Sequence, residues 1–158
     1  MHRALRESVD EVLEKMFFAE TTGECSAYDS GDTPPAEEIA VGLTFAGEPS
    51  GCLLLRVSAV AARQIAADFL GLDEGELSDL KISEVVRELA NMICGSVLSR
   101  VESAAAFQLG APQIVPPSER IAENLNETRY CVQLMNGRLA VNFGTGTPLC
   151  PRPAPSVY

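Results

Sequence analysis

The feature that most constrains the fold is a long helical pattern in the second half of the chain. From Ser78, which suits an N-cap, to about Ala104, apolar residues recur at helical spacing. This pattern predicts one amphipathic helix of about 26 residues, or ~39 Å. A helix with a single apolar stripe must pack against a second layer of structure. The positions predicted to face that layer are Ile82, Val86, Leu89, Ile93 and Val97.

Several shorter segments supply a sheet for this second layer. They alternate apolar with small or polar residues, as half-buried strands do. Turn signals join four of them in pairs: residues 47–51 close the first hairpin, and Asn136-Gly137 closes the second. Strands are therefore predicted over residues 39–45, 52–57, 108–115, 130–134 and 139–143.

Two further helices complete the pattern. One is predicted over residues 4–19, and another follows Ser58 and ends at Gly71. The order is helix, hairpin, helix, long helix and strands. It indicates the α+β class, with helices layered on a mostly antiparallel sheet. We expect a single domain over residues 1–146 and a Pro-rich tail, extended or disordered, over residues 147–158.

The loops are predicted from turn-forming and polar residues. Residues 29–36 are rich in Asp, Ser, Gly and Pro, and residues 119–129 are polar with little helical period. The second stretch contains Glu123 and Asn126, an acid–amide pair that we interpret as part of a loop. Residues 144–147 resemble a phosphate loop only superficially, since they lack the lysine and the following helix, and they are predicted to end a strand.

The polar face of the long helix carries the candidate functional residues. Glu88 and Asn91 are three residues apart and therefore lie side by side on a helix. Gly95 lies one turn beyond Asn91, and Glu84 lies one turn before Glu88. An exposed glycine inside a helix costs about 1 kcal/mol relative to alanine, so this face suits the close approach of another molecule.

Charge and composition exclude several classes of function. The net charge of −10 argues against nucleic acid and anionic membrane surfaces, which are bound by clustered Lys and Arg. No apolar run is long enough to span a bilayer, and the first residues lack the apolar core of a signal peptide. We therefore expect a cytoplasmic protein.

Cysteine and histidine usage limits the possible chemistry. The five cysteines show no zinc-type pair, and in a cytosolic protein we expect free thiols, several of them buried. The one histidine is His2, so catalytic dyads or triads and metal sites that need histidine are excluded. We expect no metal site and no cofactor of the protein's own.

The segment around the polar face resembles the signature helix of the CheX/CheC family of chemotaxis phosphatases. That signature is Glu-x-x-Asn, usually with a Ser a few residues before it and a small residue after it. Here it is matched by residues 82–98, with Glu88 as the signature Glu and Asn91 as the signature Asn. The resemblance extends to the hairpin of residues 42–55, the helix of residues 58–71 and the strand of residues 107–115.

The resemblance implies a function. Family members hydrolyse the phosphoaspartate of CheY-type response regulators. Glu88 and Asn91 would then be the catalytic pair, with Glu84, Arg87 and Gly95 contacting the receiver. A single signature helix matches CheX rather than CheC, which implies a homodimer. Magnesium is expected on the partner receiver.

Two alternatives remain beside the phosphatase. One is a non-catalytic CheX-like dimer that docks a receiver or a motor-switch partner. The other is a small-molecule hydrolase that uses Glu84 and Glu88 as paired carboxylates. Adjacent helical turns expose both carboxylates to water, so neither pKa would be driven far from its reference value, which disfavours the hydrolase.

Overall fold

The computed structural model describes residues 1–25, 37–101 and 106–146, and these residues form three helices layered on one face of an antiparallel sheet. The predicted α+β class and its layering are confirmed. The elements are α1 (His2–Met16), β1 (Thr21–Glu24), β2 (Glu38–Ala46), β3 (Gly51–Ser58), α2 (Ala59–Leu70), a 3-10 turn (Glu74–Glu76), α3 (Asp79–Ser99), β4 (Gln108–Leu109), β5 (Gln113–Val115), β6 (Asn126–Leu134) and β7 (Gly137–Thr145).

The seven strands are ordered β1-β6-β7-β3-β2-β4, and β5 also pairs with β2. Both predicted hairpins are present. In the first, β2 pairs with β3 from Glu38 opposite Ser58 to Phe45 opposite Gly51. In the second, Leu134 pairs with Gly137, so Met135 and Asn136 form a two-residue turn one position earlier than predicted.

The prediction of a single strand over residues 108–115 is wrong, because this segment forms two separate strands, β4 and β5. Both segments pair with β2, and the chain between them contains Pro112, which has no N–H for a ladder hydrogen bond. Gly110 bridges the gap by donating its N–H to the carbonyl of Thr44 at 2.7 Å.

The main core lies between the sheet and the helices. The alternation of β2 directs Val41, Leu43 and Phe45 into it, where Phe45 stacks on Phe143 at 5.2 Å between ring centroids. The opposite face of the sheet has a smaller apolar cluster under the segment that precedes β6. Its members are Ala40, Cys52, Leu54, Val115, Ile121 and Leu125.

A buried arginine fastens that segment to the sheet. Arg56, on β3, is 5% exposed and donates to the carbonyl of Pro117 at 2.8 Å and to the carbonyl of Glu119. Its guanidinium also reaches Oδ1 of Asn142 at 3.4 Å, and Asn142 donates to Glu127 at 2.8 Å. The outer cluster is therefore covered by a segment held through backbone carbonyls.

Three of the predicted helix limits are wrong. α1 begins and ends earlier than residues 4–19, and Ala19 donates its N–H to Leu13 at 2.9 Å beyond the helix end. α3 ends at Ser99, not near Ala104, because Arg100 and Val101 make tighter bonds to Val97 and Leu98. α2 ends at Gly71 as predicted, although Ser58 makes no capping hydrogen bond with its side chain.

The expectation that the cysteines are free thiols is wrong for one pair. Cys25 and Cys131 form a disulfide, because β1 lies beside β6 and brings the two residues to a Cα–Cα distance of 5.2 Å. Cys52 and Cys94 are buried and form no disulfide among the described residues, as expected. β1 was not predicted, and β6 begins at Asn126 inside the stretch that was interpreted as a loop.

Some predictions fall outside the described residues. These are the loop over residues 29–36, the tail over residues 147–158 with Cys150, and the end of the long helix beyond residue 101. Among the residues that the structure does describe, no helix has the length and apolar character needed to cross a membrane.

Candidate functional site

The candidate site is the outward face of α3. The helix buries Val85, Val86, Leu89, Ala90, Ile93 and Cys94 against the sheet and the neighbouring helices. Three predicted site residues lie between these positions on the other side: Glu88 is exposed, whereas Asn91 and Gly95 are partly exposed. The predicted polar face is therefore confirmed, and every predicted site residue lies on one helix.

Glu88 and Asn91 are available for contact with another molecule. In the described part of the chain, neither side chain makes a hydrogen bond or an ion pair with another residue. Because Glu88 and Asn91 are three residues apart on a helix, their side chains lie side by side. The pair presents one carboxylate and one carboxamide to solvent.

Gly95 leaves open space on the same face. A Cβ atom added to Gly95 would meet no heavy atom of the described residues within 4 Å. Packing within the chain therefore gives no reason for a glycine here, although a helix interior disfavours glycine.

Glu84 and Arg87 flank the pair on the preceding turns. Glu84 is exposed and Arg87 partly exposed, and among the described residues neither forms an ion pair within 4.0 Å. They add one negative and one positive charge beside Glu88 and Asn91.

α3 holds these residues rigidly because it is fixed at both ends. The side chain of Ser78 accepts a hydrogen bond from the backbone N–H of Lys81 at 3.2 Å, as predicted for its N-cap. At the other end Arg100 donates to Ser8 of α1 at 3.2 Å and pairs with Glu11. Hydrogen bonding to Arg100 is the largest cause that lowers the pKa of Glu11.

The chemistry available at this face is limited. In residues 1–25, 37–101 and 106–146, no cluster of His, Cys, Asp and Glu could hold a metal ion. The face offers no activated nucleophile, since the one cysteine nearby, Cys94, is buried and its pKa is raised by that burial to about 12. A carboxylate and a carboxamide can instead orient water and donate or accept hydrogen bonds.

The shape of the face suits a large partner. The Glu88 carboxylate is exposed on the outward side of the helix, with Asn91 and Gly95 partly exposed beside it. The surface of a helix is convex, whereas small molecules usually bind in a cleft. A macromolecule can cover such a surface.

Comparison with known proteins identifies relatives. The family model "Chemotaxis phosphatase CheX" matches residues 39–135, which run from the second residue of β2 to the end of β6 and include all of α3. A search of curated proteins finds no match.

Solved structures share the fold. CheX from Vibrio vulnificus superposes with a TM-score of 0.72 at 15% identity, over 91% of this chain and 95% of that chain. CheX from Desulfovibrio desulfuricans superposes with a TM-score of 0.70 at 16% identity, over 91% of this chain and 97% of that chain. A chain of the CheX–CheY–BeF3–Mg²⁺ complex from Borrelia burgdorferi superposes with a TM-score of 0.66 at 15% identity, over 90% of this chain and 96% of that chain.

Proposed function

Because the chain belongs to the CheX family of chemotaxis phosphatases, we propose that it hydrolyses the phosphoaspartate of a CheY-type response regulator. The observation that carries this proposal is the outward face of α3, where Glu88 and Asn91 lie side by side without partners among the described residues. We assign the positioning of water to Asn91 and the docking of the receiver to Glu88.

Asn91 suits the placement of water. Phosphoryl transfer depends mostly on positioning and electrostatics, with little covalent work for the protein. The carboxamide oxygen of Asn91 would accept a hydrogen bond from the attacking water and set its angle to the phosphorus. The NH2 group would donate to a phosphoryl oxygen. An amide does not titrate near neutral pH, so Asn91 acts by orientation and not as a general base.

Glu88 suits docking. Its exposed carboxylate would pair with a lysine near the phosphorylation site of the receiver, which brings Asn91 over the phosphate. Gly95 would admit the receiver backbone, because no side chain occupies the space beside it. Glu84 and Arg87 would contact the receiver at the edge of the same face.

The metal and the assembly belong to this proposal as well. The related chain from Borrelia burgdorferi comes from a complex named as containing CheY, BeF3 and Mg²⁺. By analogy the receiver would supply Mg²⁺, and this chain would need no metal of its own. We also propose a cytoplasmic homodimer, which sedimentation of the purified protein can test.

The sharpest test measures loss of phosphate from phosphorylated CheY-type receivers of the same organism. Asn91→Ala should slow the accelerated decay by about 10²-fold, because one positioning group is removed. Asn126→Ala is the matched control, since Asn126 belongs to the other acid–amide pair and is exposed at the start of β6. Full activity of Asn91→Ala would show that the assigned role is wrong.

A second measurement separates docking from chemistry. Glu88→Ala should raise the receiver concentration needed for half-maximal rate more than it lowers the maximal rate. An unchanged concentration dependence would contradict the docking role. If the wild-type protein binds receivers but accelerates none of them, the non-catalytic binding module replaces the phosphatase.

A further inference from the structure

A second surface, remote in sequence from α3, begins where α1 ends. The neighbours Phe17 and Phe18 have opposite environments: Phe17 is fully buried and stacks on Phe69 at 4.6 Å, whereas Phe18 is 67% exposed. The backbone of Phe18 has φ 55°, which lies in the left-handed region. That conformation is disfavoured for a bulky residue and is usually filled by glycine where a helix ends.

Packing within the chain does not account for Phe18. The position carries a backbone conformation that glycine would adopt more easily, together with an aromatic ring that is mostly left in water. A contact with another molecule would account for the ring.

Phe18 forms one side of a groove. This groove, here called the Phe18 groove, has a volume of about 280 Å³ and lies between the end of α1, α2 and the β6–β7 turn. Its apolar lining includes Phe18, Ala61, Ile65, Leu134 and Met135. Met135 is 72% exposed, and methionine adapts its shape to different apolar partners.

Carboxylates surround this apolar surface. Glu20 and Asp68 line the Phe18 groove, and Asp10 and Glu14 line a recess of about 600 Å³ on the other side of Phe18. The described residues that line these two recesses include no Lys or Arg. Asp10 accepts a hydrogen bond from Tyr130 at 2.8 Å, and Asp68 accepts one from Gln64 at 3.1 Å. Asp10 also lies 4.0 Å from the guanidinium of Arg6 on α1, so Glu14, Glu20 and Asp68 are the rim carboxylates without an ion pair among the described residues.

We propose that the Phe18 groove binds a segment of a partner protein in which an apolar side chain is flanked by lysine or arginine. The apolar side chain would pack between Phe18 and Met135, and the basic residues would meet the carboxylates of the rim. A second copy that docks through the same groove is a poor occupant, because it would place its own Glu20 and Asp68 against these carboxylates. No residue of α3 lines the groove, so the proposal does not depend on the phosphatase activity.

Two fluorescent peptides test the proposal with the full chain. One is an amphipathic peptide of Leu, Phe and Lys, and the other has every Lys replaced by Glu. We expect fluorescence anisotropy to show binding of the lysine peptide only. Phe18→Gly and Met135→Lys should each weaken that binding by about 10-fold or more, as expected for central apolar contacts.

Two features of the variants separate binding from folding. Phe18→Gly should melt no lower than the wild type, because glycine suits this backbone. Val60→Lys is the control for Met135→Lys, since Val60 is 60% exposed on α2 and does not line the groove. The Val60→Lys variant should bind the lysine peptide with the same affinity as the wild type.

Several results would overturn the proposal. They are equal binding of both peptides, no binding of either, and wild-type affinity in both Phe18→Gly and Met135→Lys. A sedimentation result could also overturn the proposal. If the wild-type protein is a dimer and Met135→Lys dissociates it, the occupant of the groove is a second copy of this chain.

Discussion

Replacing Gly95 with alanine should separate the stability of α3 from its docking role. Gly95 lies inside α3, and an added Cβ meets no heavy atom of the described residues within 4 Å, so the methyl group fits without strain. Alanine is favoured over glycine in a helix interior by about 1 kcal/mol. For a chain of 158 residues this gain corresponds to a rise in Tm of ~2–4 °C. Thermal unfolding followed by circular dichroism measures it.

A larger side chain at the same position tests the docking role. Gly95→Leu should fold, since the space is open, but it should obstruct the receiver and raise the concentration for half-maximal dephosphorylation by about 10-fold. Gly75→Leu is the matched control, because a Cβ at Gly75 also meets nothing within 4 Å and Gly75 lies outside α3. A lower Tm for Gly95→Ala would refute the helix argument. Wild-type kinetics for Gly95→Leu would refute the idea that the receiver approaches α3 at Gly95.

Three further predictions concern stability. Reduction of Cys25–Cys131 removes a cross-link between residues 106 apart and should lower the free energy of unfolding by ~2–5 kcal/mol; equal urea midpoints with and without dithiothreitol would contradict this. Arg56→Met removes the hydrogen bonds to the carbonyls of Pro117 and Glu119 and should cost ~2–3 kcal/mol in urea unfolding, whereas a change within ~0.5 kcal/mol would show that the fastening is unimportant. Burial raises the pKa of Cys94 from 9.0 to about 12, so the folded state holds the thiol proton more tightly than the unfolded chain. The stability from this thiol is full below pH ~9 and is lost as pH rises towards 12, so Cys94→Ala should show a shallower decline in alkali.

The parts of the fold that could be predicted from sequence are those with a strong hydrophobic period. α3 and the β2–β3 and β6–β7 hairpins belong to this group, because their apolar residues recur at the spacing that burial on one side requires. The polar face of α3 follows from the same period. Glu88 and Asn91 could therefore be placed together from the sequence.

The missed parts depend on contacts between distant segments. All four residues of β1 are exposed, so its sequence carries no alternation, and it is a strand only because it pairs with β6. The disulfide could not be inferred without that pairing. The early end of α3 was missed as well, since the apolar pattern does not show where the backbone of Arg100 and Val101 changes to tighter bonds with Val97 and Leu98.

The Phe18 groove was missed for a related reason. The helix predicted over residues 4–19 would include Phe17 and Phe18, whereas α1 ends at Met16 and Phe18 has a left-handed backbone. Its lining comes from α1, α2 and the β6–β7 turn, which meet only in the folded protein.

The burial of the inner side of α3 against the sheet and the neighbouring helices also determines how activity would be lost under stress. Leu89, Ala90 and Ile93, which surround Asn91 in sequence, are all 0% exposed. Amide hydrogens in such a helix exchange with solvent mainly through the global unfolding reaction, whereas frayed ends and loops open locally. The amides near Asn91 should therefore be among the slowest to exchange. Dephosphorylation should then disappear with denaturant in the same transition as the tertiary structure, because loss of the site would require unfolding of the buried core.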